Sequence, residues 1–103
     1  MYVNVFRSHK HEGHDAARYA ADAEAMRALA ETQPGFISFK SFAAPDGETL
    51  SMSEWESEEH ARAWQRHAAH IAVQGRGRAD YYESYTVYSC AEPEVRRFKR
   101  NEP

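Results

Sequence analysis

The turn sequence Ala44-Pro45-Asp46-Gly47, set between two alternating runs, constrains this chain more than any other segment. Proline presets φ in such a turn and glycine accepts positive φ, so the backbone is directed back on itself. Before the turn, Phe36 to Ala43 (FISFKSFA) sets Phe36, Ser38, Lys40 and Phe42 against Ile37, Phe39 and Ser41. After it, Glu48 to Glu56 sets Met52, Glu54 and Glu56 against Ser53 and Trp55. Alternation on both sides of a short turn predicts an antiparallel hairpin.

The flanking segments give the rest of the order. Tyr2 to Ser8 alternates Val3 and Val5 with Tyr2, Asn4 and Phe6, which predicts a strand with large side chains on both faces. His9 to His14 (HKHEGH) reads as a polar turn. Asp15 is placed to cap a helix in which Ala16, Tyr19, Ala20, Ala23, Met26 and Ala30 recur at helical spacing. That helix should stop before Gln33-Pro34-Gly35, because a residue preceding proline avoids helical dihedrals. Ser57 is placed to cap a second helix, with Glu58 and Glu59 at its positive end. Its stripe is Ala61, Trp64, Ala68 and Ile71, and it is predicted to run to about Val73 or Gln74, where Gly75-Arg76-Gly77-Arg78 interrupts it. Tyr81 to Cys90 (YYESYTVYSC) has the composition of a last strand.

The predicted order is β-α-β-β-α-β, an α+β, ferredoxin-like pattern: a four-stranded antiparallel sheet with both helices on one face. Residues 1–91 form one domain and 92–103 a polar tail. The uncovered sheet face carries bulky side chains, so the expectation is a homodimer whose two sheets pack face to face.

Composition narrows the function classes. With 42% hydrophobic and 28% charged residues, the chain is neither disordered nor membrane-embedded. A net charge of −3 gives no support for nucleic-acid binding. No secretory h-region and no apolar run of membrane-spanning length is visible, so a cytoplasmic location is expected. The single Cys90 excludes an intrachain disulfide and a multi-cysteine metal site. His9, His11 and His14 are read as an exposed loop cluster. Gly75-x-Gly77 lacks both the third glycine and the strand-then-helix context of a nucleotide loop.

The chemical candidates sit at both ends of the domain. Trp64 either packs in the core or walls a pocket by stacking on a flat molecule, with its indole N–H as donor. Trp55 is assigned to the core. His67 and His70 are three apart on a predicted helix; the pair lacks further ligands for a metal but suits acid–base work near neutral pH. Asn4 is a polar residue among valines and aromatics, and its amide either satisfies local backbone or binds a substrate oxygen. Arg76 and Arg78 either cap a helix C-terminus or hold an acidic substrate group.

The Gln33-Pro34-Gly35-Phe36 junction, the Glu54-Trp55-Glu56-Ser57-Glu58-Glu59 run followed by Ala63-Trp64, and the element order resemble the antibiotic biosynthesis monooxygenase domain family. The resemblance covers residues 2 to 90. It implies a small dimeric α+β barrel. Such proteins include cofactor-independent oxygenases of polycyclic aromatic polyketides, quinol oxygenases and haem-degrading monooxygenases. The haem-degrading branch uses an asparagine on the first strand, a tryptophan on the second helix and, about three turns later, a histidine that ligates haem. Asn4 and Trp64 match the first two; Gln74 stands near the third. In the polyketide branch Trp, Asn, Tyr and Arg surround the pocket, and Trp64, Asn4, Arg76 and Tyr82 take comparable places.

The resemblance therefore implies oxidation of a flat aromatic or haem-like molecule with O₂. No cofactor and no metal is expected, and haem enters only as a substrate. Asn4, Trp64, His67 and His70 are the catalytic candidates; Phe6, Arg76 and Tyr82 are the substrate-binding candidates. The competing reading is a non-catalytic dimeric binding or interaction domain on the same scaffold. A pocket lined by Asn4 and Trp64 favours the enzyme, and a packed core without one favours the alternative.

Overall fold

The computed structural model describes residues 1–100. Strands β1 (Tyr2–Lys10), β2 (Phe36–Ala43), β3 (Thr49–Trp55) and β4 (Tyr82–Ala91) form one antiparallel sheet in the order β2-β3-β1-β4. Helices α1 (Ala16–Glu31), α2 (Glu58–Gln65) and α3 (Ala68–Arg76) complete the fold, with a π-helical turn at Gly77–Tyr81. Among the described residues no helix is long and apolar enough to cross a membrane.

Cross-strand register sorts the side chains, because partners directly opposite share a face. Tyr2 opposes Trp55 and Ala91; Asn4 opposes Ser53 and Ser89; Phe6 opposes Ser51 and Val87. Phe39 faces Ser53 and Ser41 faces Ser51 in the hairpin, which extends these rows to β2. This inner face meets the helices: Tyr2 and Trp55 are buried with Ala30 of α1 and Ala61 of α2, and Phe36 and Trp64 pack against that cluster. The outer face carries Val3, Val5, Leu50, Met52, Phe42 and Tyr88. Phe42 and Tyr88 are about half exposed, at 51% and 53%.

The expected caps are present. Asp15 Oδ1 accepts from Arg18 N at 3.0 Å, and Ser57 Oγ accepts from His60 N at 3.2 Å. Gly35 is needed twice over at the α1–β2 junction. Its φ is +80°, and a Cβ there would lie 2.2 Å from His60 Cγ.

Three boundaries differ from the sequence reading. First, the second helix is two helices. His67 takes extended dihedrals (φ −62°, ψ 131°) and caps α3, its Nδ1 accepting from Ala69 N at 3.2 Å. A side chain able to replace the backbone acceptor made the break inexpensive. Second, Gly75 and Gly77 do not end the helical path; α3 runs to Arg76 and continues as the π turn. A Cβ on Gly77 would lie 2.6 Å from Tyr82 Cε2, so the bare glycine lets that ring close over the turn. Third, β1 runs to Lys10, paired with Tyr82, where a polar turn from His9 onward was expected. The tail expected over 92–103 forms neither helix nor strand from 92 to 100, and its last three residues lie outside the described residues.

Candidate functional site

The inner face of the sheet is not filled by the helices above it. A cavity of about 790 Å³ lies between them. Its floor is unusually polar for an interior sheet surface, with Asn4, Ser41, Ser51 and Ser53 beside Phe6 and Phe39. Its walls include Tyr19 and Asp22 of α1, Trp64 of α2, His70 and Gln74 of α3, Tyr81 of the π turn and Tyr82 at the start of β4. A well-packed core avoids both such volume and such polarity, which makes this cavity the candidate binding site.

Asn4 is held in a defined orientation. Ser89 Oγ donates to Asn4 Oδ1 at 2.6 Å. Among the described residues the Nδ2 group has no partner, so both its protons are free for a ligand oxygen. On the same floor Ser41 and Ser51 hydroxyls bond each other at 2.7 Å, and Trp55 Nε1 donates to Ser53 Oγ at 3.2 Å. Trp55 is 1% exposed and packs edge-on to Phe36, which is the core role expected of it.

Trp64 and His70 form a flat, half-buried wall. Their rings stack at 4.6 Å with an interplanar angle of 13°, and Trp64 stacks on Trp55 behind it at 6.3 Å. His70 Nδ1 sits 3.1 Å from Trp64 O. A carbonyl there selects the Nδ1–H tautomer and leaves Nε2 as a lone-pair acceptor. Burial lowers the His70 pKa below its ordinary 6.5, against the opposing pull of that carbonyl. The imidazole is therefore neutral at physiological pH and can take a proton.

The π turn supplies the opposite wall. Tyr81 is 2% exposed and donates its hydroxyl to Asp22 Oδ2 at 2.6 Å. Asp22 also accepts from Arg76 Nε and Nη2 at 3.0 and 3.1 Å. The guanidinium and the Tyr81 hydroxyl hold the Asp22 carboxyl below the usual carboxylate range. This clasp ties α1, α3 and the π turn together. Tyr82 lies against Phe6 and Tyr19 at ring distances of 5.3 and 6.1 Å. Burial first, then the neighbouring tyrosines, raises its pKa well above the ordinary 10, so the phenol stays protonated.

Of the residues singled out in the sequence, the structure gathers Asn4, Phe6, Trp64, His70 and Tyr82 around one cavity. It leaves His67 and Arg76 off the wall. The helix break turns His67 into a cap, and Arg76 is engaged by Asp22 on both its Nε and Nη2 sides; Arg78 lines the cavity instead. Sequence reasoning missed Tyr19, Asp22 and Tyr81. Asp22 had a signal: it lies three residues after Tyr19 and four before Met26, an acid inside the stripe of an alanine-rich helix. The loop histidines are not simply solvated, since His11 bonds two backbone carbonyls. Among the described residues no group of three or more His, Cys, Asp or Glu is arranged to hold a metal ion. Cys90 is exposed on the outer face.

The family model described as antibiotic biosynthesis monooxygenase matches residues 1–76. The uncharacterised protein YqjZ of Bacillus subtilis is 35% identical over 100 residues, covering 97% of this chain and 86% of that protein. Among solved structures, SnoaB, a cofactor-independent oxygenase from Streptomyces nogalater, superposes with a TM-score of 0.71 at 16% identity, over 98% of this chain and 97% of that one. A putative antibiotic biosynthesis monooxygenase from Nitrosomonas europaea superposes with a TM-score of 0.76 at 11% identity, over 87% and 88%.

Proposed function

The chain belongs to the antibiotic biosynthesis monooxygenase family, and from that premise we propose that its cavity takes a flat, hydroxylated aromatic molecule and supports its oxidation by O₂ without a cofactor. The observation that carries this reading is the convergence of the Trp64–His70 stack and the oriented Asn4 amide on one large cavity.

The geometry supports a role for each residue in this reading. His70, backed by Trp64, offers a planar ring face against which an aromatic ring stacks. Asn4 Nδ2 donates to a phenolic oxygen and stabilises charge that develops there. His70 Nε2 takes the phenolic proton. In the simplest balanced case a phenol becomes a quinone. One atom of O₂ becomes the second quinone oxygen, the other leaves as water, and the substrate supplies all four electrons. Tyr82, held protonated, is a further donor on the wall.

A haem-like substrate fits these residues less well. Gln74 lies on the cavity wall where the resemblance puts a haem-ligating histidine, and an amide is a poor iron ligand. Among the described residues His70 is the only histidine lining the cavity, and its ring is engaged by Trp64. Haemin titration, read as a Soret shift, tests this branch.

The direct test measures O₂ uptake and quinone absorbance with a panel of polycyclic phenols in air. Removing one oxyanion donor typically costs about 10²–10³ in rate, so Asn4→Ala should fall by that order. Trp64→Phe should lose less, about 10-fold, through weaker stacking. Uptake equal to a protein-free blank across the panel, with phenols still binding, would replace the oxygenase by the non-catalytic binder.

The assembly belongs to the same proposal. On the outer face Val5, Leu50 and Met52 are only partly covered, and Phe42 and Tyr88 are half exposed, in the single chain. A second copy, laying the same face against it, would cover it and close a two-sheet barrel.

A further inference from the structure

His11 stands outside the chemistry just described, yet its surroundings fix its charge. Its Nδ1 lies 2.7 Å from Glu12 O and its Nε2 lies 2.6 Å from Asp80 O. Both partners are carbonyl oxygens, which only accept. A neutral imidazole has one N–H and one lone pair, so it can satisfy one of them while turning a lone pair toward the other. Only the imidazolium donates to both.

We propose that His11 is a proton-operated staple: as an imidazolium it fastens the loop after β1 to the π turn that carries Arg78, Tyr81 and Tyr82 to the cavity, and on losing its proton it lets that turn loosen. The staple stands whatever the cavity binds. It joins segments far apart in sequence, alongside the backbone bond from His11 N to Tyr81 O at 2.9 Å. The Asp22 clasp holds the same turn from the helix side and does not titrate near neutral pH. The turn thus keeps the Asp22 clasp and the His11 N–Tyr81 O bond whatever the charge of His11, and has one conditional tether besides.

The groups around His11 agree with a retained proton. On its own loop, Glu12 supplies the first carbonyl, and His14 lies 6.2 Å away ring to ring with its Nδ1 directed at His11 O. Lys10, ending β1, is bound to Thr49 at 2.7 Å. From α1, Arg18 pairs with the Asp80 carboxylate at 3.3 Å, and Tyr19 stands edge-on to His14. From the π turn and β4, the carboxylates of Asp80 and Glu83 both favour the charged ring. The two carbonyl bonds are the largest causes, and together with these carboxylates they raise the His11 pKa above 6.5 against a smaller desolvation effect.

The sign follows from the direction. A proton held more tightly in the folded state stabilises the fold fully below the unfolded value near 6.5, and the gain is lost as pH rises through the higher folded value. NMR titration of the unsubstituted chain tests this. Expected are two protonated ring nitrogens on His11 at pH 6.5, a midpoint above 6.5, and amide shifts of Asp80, Tyr81 and Tyr82 that follow the same midpoint. In His11→Gln those amide shifts should vanish, and the Tm deficit relative to the parent should shrink as pH rises. A His11 midpoint at or below 6.5, or a single protonated nitrogen there, overturns the proposal. So does a π turn whose amides ignore the titration. If His11→Gln fails to fold, the unsubstituted chain alone decides.

Discussion

Two histidines of this chain respond to pH in opposite senses, and neighbouring atoms explain why. His11 is surrounded by acceptors, whereas His70 is packed on an indole and shielded from water. For His70 the unfolded chain binds the proton more readily than the folded one. Its contribution to stability is therefore complete above 6.5 and declines as pH falls from 6.5 through the lowered folded value. A histidine-resolved NMR titration should give His70 a midpoint below 6.5, and oxidation of a phenol should slow through that same midpoint. A His70 midpoint at or above 6.5 would remove it as the proton acceptor. Asn4 and Trp64 were readable in the sequence because a polar residue in an apolar strand and a tryptophan on a helical stripe carry their signal locally. The difference between His67 and His70 was not. It depends on one residue adopting extended dihedrals, which spacing along an assumed continuous helix cannot reveal.

Among elements, the junctions carried the clearest sequence signals. The Pro45–Gly47 turn, the Asp15 and Ser57 caps and the Pro34-Gly35 stop all appear where expected. Their chemistry is local and tertiary packing has little leverage over it. The break at Arg66–His67 was hidden because Ala68 and Ala69 favour helix on either reading. Two glycines separate backbone strain from packing. Gly47 has φ +91° with open space where a methyl would sit, whereas Gly35 has φ +80° and His60 in the way. Gly47→Ala should cost about 1 kcal/mol from dihedral strain alone. Gly35→Ala should cost about 2–3 kcal/mol, because His60 and the first turn of α2 must also shift. Denaturant midpoints at equal m-value would measure both, and equal losses would show that His60 yields freely.

Taken as a whole molecule, the chain is a slab with one finished side. Its radius of gyration is 14.9 Å, against about 13 Å expected for a compact domain of this length. Helices cover only the inner face, and even there they leave the cavity open. Sedimentation at micromolar concentration should give twice the 11.8 kDa chain mass, with a Tm that rises with concentration. Val5→Asp, at the centre of the outer face, should return it to single chains, and a clean monomer of the parent protein would refute the paired-sheet assembly. The topology was legible because six elements in this order have few unknotted solutions. The cavity was not, since no local pattern records that helices fail to fill the space above a sheet.

Strand order has a kinetic consequence. β1 is central in the sheet and first in the chain, but one of its neighbours, β4, comes last. During synthesis the β2–β3 hairpin can close early, as a short-range event, though an isolated hairpin is marginal in water. β1 must wait with a whole ladder of backbone groups unpaired until nearly all of the domain has emerged. Contacts this distant in sequence slow folding, and a waiting apolar strand is the kind of edge on which chains mispair. The vulnerable moment of this protein thus falls before the fold exists, and a second newly made copy nearby is the hazard at that stage.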